Sequence, residues 1–202
     1  MLIENGGGGQ QSWAKVDTNN RLHTETVSRE VLTEAVFKGE AFNFNTGAIT
    51  LTTGNESALG YLAYNGDVPF VVTEILFIIG AATGTLSTEG IAKIYRNPTG
   101  GTIVSGAVPV ETAANRDFSS SITVTGDMFK GAEGNTLTGG TVFADTSRGS
   151  SFSGVISFDA APILLRKGNT LGVSWEPPTG NTSQVVKIAA TGYISGSDVF
   201  QD

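Results

Sequence analysis

From Ala41 onward the chain alternates short apolar runs with turn-forming residues. Phe42 and Phe44 flank Asn43, Asn45-Thr46-Gly47 reverses the chain, and Ile49 and Leu51 flank Thr50. A period of two sends successive side chains to opposite faces of a strand. The same grammar predicts strands over 59–64, closed by Asn65-Gly66-Asp67, over 70–79, closed by Gly80, and over 91–95, closed by Asn97-Pro98-Thr99-Gly100-Gly101. Each stop has a mechanism, since Gly and Asn tolerate positive φ and Pro cannot donate to a ladder. Further strands are predicted over 102–105, 121–125, 141–146, 151–158, 170–175 and 185–194.

Two regions fall outside this grammar. Between Glu25 and Phe37, Val27, Val31, Leu32, Ala35 and Val36 fit a helical stripe, while Val27, Val31, Ala35 and Phe37 fit one face of a strand. The β-branched residues and the β-like remainder of the chain favour a strand here. Residues 1–22 carry Gly6-Gly7-Gly8-Gly9, Gln10-Gln11-Ser12 and Asn19-Asn20, which solvate backbone and offer little to bury. They predict an extended N-terminal arm, flexible or docked on a partner, ahead of one β-domain over 23–202. Trp13 and Val16 are costly to leave wet, so they are the expected docking residues, with His23 beside them.

Many short strands, no strong helix and no repeat period predict an all-β fold, an antiparallel β-sandwich. The Gly/Ser/Asn-rich segments 81–90, 113–121 and 131–140 read as crossovers between sheets, which a jelly roll requires and a meander does not. A jelly roll is therefore the expected topology.

Composition then narrows the function. The 12 Lys and Arg against 19 Asp and Glu give a net charge of −7, which repels a phosphate backbone and disfavours anionic membranes. Neither nucleic acid nor membrane is an expected partner. Cysteine is absent, which removes disulfides, thiolate chemistry and the usual structural zinc sites. The opening Met1-Leu2-Ile3-Glu4 lacks the basic and apolar regions of a secretory signal, so export is not expected.

Catalytic signatures are missing from the pattern. The single histidine, His23, lies beside the arm, where nothing orients it as a general base, so it is read as a surface or arm-docking residue. Gly149-Ser150-Ser151-Phe152-Ser153-Gly154 does not meet the G-x-S-x-G spacing of a nucleophile elbow, and no phosphate-loop motif is present. Asp117, Asp127, Glu133, Asp145, Asp159 and Glu176 could supply a glycosidase pair, which needs two carboxyl groups roughly 5–10 Å apart across a cleft. Solvated loop acids are the expected reading. No catalytic residue, metal site or cofactor is assigned, and no enzyme activity is expected. Trp13, Tyr61, Tyr64, Trp175 and Tyr193 could stack on sugars, but Trp175 shares the parity of Leu171 and Val173 and is expected to be buried. Asn55-Glu56-Ser57 and Asn181-Thr182-Ser183 are read as polar loops.

Taken together, the Gly-rich arm followed by Ser12-Trp13-Ala14-Lys15-Val16-Asp17, the run from Ala41 to Leu51, and Asn97-Pro98-Thr99-Gly100-Gly101-Thr102 resemble a small bacteriophage virion protein of the jelly-roll decoration or cement kind. That resemblance implies a non-enzymatic role in the virion, with assembly in the host cytoplasm. It implies many copies, often as homotrimers, bound to the major capsid protein or other virion proteins, with the arm reaching a neighbour. A neck, tail or head-fibre component is the nearest variant, and a carbohydrate- or receptor-binding module is the competing class. Acidity fits a capsid exterior better than a lumen filled with DNA.

Overall fold

The computed structural model describes residues 2–4, 11–13, 31–104, 111–149, 151–157 and 162–195. Residues 1–31 and 32–202 form separate units. In the first, β1 (Leu2–Glu4) pairs antiparallel with β2 (Gln11–Trp13), Leu2 opposite Trp13 and Glu4 opposite Gln11. This places the backbone of Trp13 in a short hairpin. Val16 and His23, the other two expected docking residues, lie outside the described residues.

Helix α1 (Val31–Phe37) replaces the end of the strand expected over 25–37, whose first residues, 25–30, lie outside the described residues. Leu32, Ala35 and Val36 follow helical spacing, and Ala35 is buried between half-buried neighbours. The stop is a Schellman closure: Glu40 N–H donates to Ala35 C=O at 2.8 Å and Gly39 N–H to Val36 C=O at 2.9 Å. Gly39 takes φ +68°, which a glycine adopts without the Cβ penalty. The β-branched residues that favoured a strand were outweighed by this helical stripe and its glycine stop.

The remaining strands are β3 (Ala41–Asn45), β4 (Ile49–Leu51), β5 (Ser57–Tyr64), β6 (Phe70–Ile79), β7 (Thr83–Gly84), β8 (Gly90–Arg96), β9 (Ala114–Asn115), β10 (Gly126–Lys130), β11 (Thr141–Arg148), β12 (Phe152–Ser157), β13 (Ile163–Leu165), β14 (Thr170–Glu176) and β15 (Asn181–Ile194). They form two antiparallel sheets arranged as a sandwich. One has the order β10-β5-β14-β8-β11; the other has the order β12-β6-β15-β3-β9, with β13 on β6 and with β4 and β7 on β15. From β3 through β5, β6 and β8 the chain changes sheet at every step, touches the second sheet again only through the two-residue β9 on its way to β10 and β11 in the first, then changes again through β12, β14 and β15.

Alternation builds the core. Phe42, Phe77, Ile94, Leu59, Trp175 and Val186, drawn from both sheets, are fully buried in one cluster between the layers. A second, smaller cluster of Ala58, Tyr61 and Ile103 lies apart from it, with Val104, Phe129 and Leu137 packed around. Alternation along β5 feeds both clusters, and a β-bulge at Leu59, which has no ladder partner on β14, shifts the parity so that Leu59 joins Leu62 and Tyr64 in the larger one.

Several expectations are corrected in detail. Residues 102–104 form a 3-10 turn instead of a strand, which seats Ile103 over Tyr61. Residues 121–125 carry no strand; β10 begins one residue later. Segment 131–140 is not a crossover between layers, because it joins β10 to β11 at opposite edges of the same sheet. It is fixed on the way by Asn135 C=O, which accepts from Ala58 N–H at 2.8 Å, and by paired bonds between Thr138 and the Thr99–Gly100 turn. Segment 81–90 does cross between sheets, from β6 to β8, as expected.

Candidate functional site

The sequence candidates are scattered by the fold. Trp175 is fully buried, its indole Nε1–H donating to Gln184 Oε1 at 2.8 Å, while Tyr61 and Tyr64 are buried as well. Those three rings are therefore closed to a sugar. Tyr193 is half-buried, and Trp13 is described by its backbone alone.

The candidate acids do separate work. Glu133 accepts from Thr52 N–H at 2.6 Å and Thr53 N–H at 2.8 Å, capping the turn after β4. Burial raises its carboxyl, but these bonds outweigh that and hold its pKa below the usual glutamate range. Glu176 meets Lys93 Nζ at 2.8 Å, and Lys93 also binds Glu56 Oε2 at 2.6 Å. Tyr95 and Ser174 donate to Glu56 Oε1 at 2.7 and 2.6 Å. Burial pushes the Glu56 carboxyl up, and the bonds from Lys93, Ser174 and Tyr95 win and lower it. Burial pushes Lys93 down, and its two carboxylates win and hold it well above the ordinary lysine range. This five-residue lattice ties β8, β14 and the residue before β5. Asp127 and Asp145 are exposed, and Asp159 lies outside the described residues. Among the described residues no group of three or more His, Cys, Asp or Glu side chains could hold a metal ion.

The most prominent surface feature was not among the sequence candidates. Phe118 is 100% exposed, and the loop that carries it is pinned. Asn115 Nδ2 donates to Gly39 C=O at 2.7 Å and to Ile122 C=O at 3.0 Å, while Asn115 Oδ1 accepts from Asp117 N–H at 2.8 Å. Asp117 Oδ1 accepts from Ser119 N–H at 2.9 Å and from Ser119 Oγ at 2.6 Å, which keeps its pKa below the usual aspartate range. Arg116 N–H donates to Ala41 C=O, and Ser120 Oγ donates to Gly39 C=O. The α1–β3 turn is thus the platform on which the loop sits. Gly39 is required twice here, because a Cβ would also collide with the Ser120 side chain.

Phe37, at the end of α1, is 69% exposed, and Ile122, at the far end of the loop, is 41% exposed. A phenyl ring held rigidly in water forgoes its burial free energy until another surface covers it. Asn115, Asp117, Ser119 and Ser120 are the Asx and Ser turn residues that could have marked a shaped loop in the sequence. Reading the segment only as a crossover missed the ring among them.

No protein-family model matches this sequence, and no curated protein matches it.

Proposed function

We propose that this chain is a non-enzymatic structural protein of a bacteriophage virion, a decoration or cement protein that stabilises the head by binding its surface in oligomeric form. The observation that carries the assembly role is Phe118, a wholly exposed ring on a hydrogen-bonded loop. Aromatic anchors presented on rigid elements dominate binding energy at protein interfaces, because little conformational entropy is lost on docking. The virion assignment rests on the sequence resemblance, and the jelly-roll reading belongs with it. Support for that topology comes from the strand order: β3, β15, β6 and β12 lie side by side in one sheet and β5, β14, β8 and β11 in the other, so these eight strands alternate between sheets except at the β8–β11 step, as two interleaved Greek keys demand. Homotrimerisation and an arm over 1–22 that reaches a neighbour complete the reading.

Three measurements test it. Quantitative mass spectrometry of washed phage particles encoding this chain should find it in multiple copies per particle, and sedimentation velocity of the purified protein should show an oligomer. Phe118→Ala and removal of residues 1–22 should each weaken particle association. A chain absent from washed particles, or a strict monomer whose association both changes leave intact, would overturn the proposal.

A further inference from the structure

At one end of the sandwich the alternation of β8 breaks. Ala92 and Ile94 point into the core, and the next inward position holds Arg96 instead of a third apolar residue. It pairs with Leu171 on β14 and Thr141 on β11, so its side chain emerges between the two layers. Arg96 is exposed and its guanidinium makes no hydrogen bond or ion pair with a described residue. In a chain of net charge −7 this is a cation kept out of the surface lattice that holds Lys93.

Arg96 lines two adjoining clefts of about 260 and 440 Å³, both bounded by Asn97 and Phe143. Phe143 is the extra residue where the register of β11 shifts between Val142 and Ala144, and it is 53% exposed. Bulges re-aim side chains beside binding sites. Leu165 and Leu171 supply an apolar floor to the smaller cleft. Its amides are donors in excess. Asn97 Oδ1 is occupied by Thr170 N–H at 3.2 Å and Asn169 Oδ1 by Arg166 N–H at 2.9 Å, which leaves each Nδ2 available. The hydroxyl of Thr170 is turned away to Pro98 C=O at 2.5 Å.

We infer that this end of the sandwich binds an acidic saccharide, its carboxylate on Arg96, its hydroxyl oxygens on the Asn97 and Asn169 amides, and one apolar ring face on Phe143. The donor surplus calls for an acceptor-rich anion, and guanidinium geometry matches a carboxylate. A peptide could place a carboxylate on Arg96 and a carbonyl on one amide, whereas a hydroxylated ring bearing a carboxylate presents clustered acceptors to both amides and an apolar face to the phenyl ring in one rigid unit. The inference does not depend on the virion assignment.

The test is calorimetric titration of the full chain with a galacturonate trimer, a hyaluronan tetrasaccharide and sialyllactose, against uncharged galactose oligomers and a triglutamate peptide. At least one acidic sugar should bind saturably, about tenfold or more tighter than the neutral sugars, with Arg96→Ala removing that margin. Phe143→Ala should weaken the same sugar in a protein whose circular dichroism still reports the folded sandwich. Three results would each overturn the inference: no saturable binding to any of the acidic sugars, binding indifferent to Arg96→Ala, or tighter binding of the peptide than of every sugar.

Discussion

Trp175 shows how one buried residue constrains several positions at once. Its ring fills the core, and its single polar atom finds Gln184, whose own Nε2 donates to Gly80 C=O at 3.0 Å. Gln184→Leu removes both partners and strands the indole N–H in an apolar setting, so it should cost about 2–3 kcal/mol in urea unfolding. Trp175→Ala loses more, about 3–5 kcal/mol, through the cavity it leaves. Gly90 is glycine for the same reason, since a Cβ there would strike the indole ring. Phe118 is the opposite case. Phe118→Ala should move stability by no more than about 0.5 kcal/mol, because the ring is wholly exposed and no described residue covers it, while particle association falls. A large loss of folding stability would show that the ring belongs to the monomer's own packing. The burial of Trp175 was legible from its parity with Leu171 and Val173. The exposure of Phe118 was not, because an isolated aromatic in a loop carries no periodicity.

Whole elements were legible to the degree that one face of each is apolar. Residues 70–79 emerge as expected, and β14 and β15 extend their predicted ranges by a few residues at their ends. β10 was missed because Gly126-Asp127-Met128-Phe129-Lys130 puts charges at both flanks of a short apolar pair. The Lys93 lattice was also invisible, as Glu56 lies far from Lys93 and Ser174 in sequence and only the β14–β8 and β14–β5 registers together join them. It makes a prediction at the scale of the sheet. A glutamate whose pKa is lowered by folding contributes stability that is full above its unfolded value and is lost as pH falls through the folded one. Wild type should therefore lose stability as pH drops below about 4.3, the unperturbed glutamate value. Glu56→Gln should cost about 1 kcal/mol near neutrality, a figure kept small by partial exposure. The gap between the two proteins should narrow progressively in melts as pH falls below that value. A constant gap across that range would mean that the lattice is not what holds β8 to β14.

The whole molecule is organised by its last strand. β15 is 14 residues long and pairs with β3, β4, β6 and β7, so the first strand of the sandwich meets the last, Asn45 opposite Ala189. Every such pairing closes a long loop before any contact offsets the lost chain entropy, which slows folding without weakening the folded state. Two consequences can be measured. A chain ending at Gly180 loses the centre of the eight-stranded sheet, leaving β6 and β3 without their shared neighbour, and it should show no cooperative unfolding in urea. The full chain should refold on the millisecond-to-second scale typical of nonlocal β topologies. Stopped-flow fluorescence of a Trp13→Phe variant, in which Trp175 is the sole tryptophan reporter, follows the core directly. Microsecond refolding, or a cooperative transition in the truncated chain, would mean that the sheet is nucleated and held without β15. For a protein proposed to act by being covered on an assembled surface, slow closure around a central strand also sets the order of events: the sandwich must be complete before the Phe118 loop, which rests on the start of β3, can be presented.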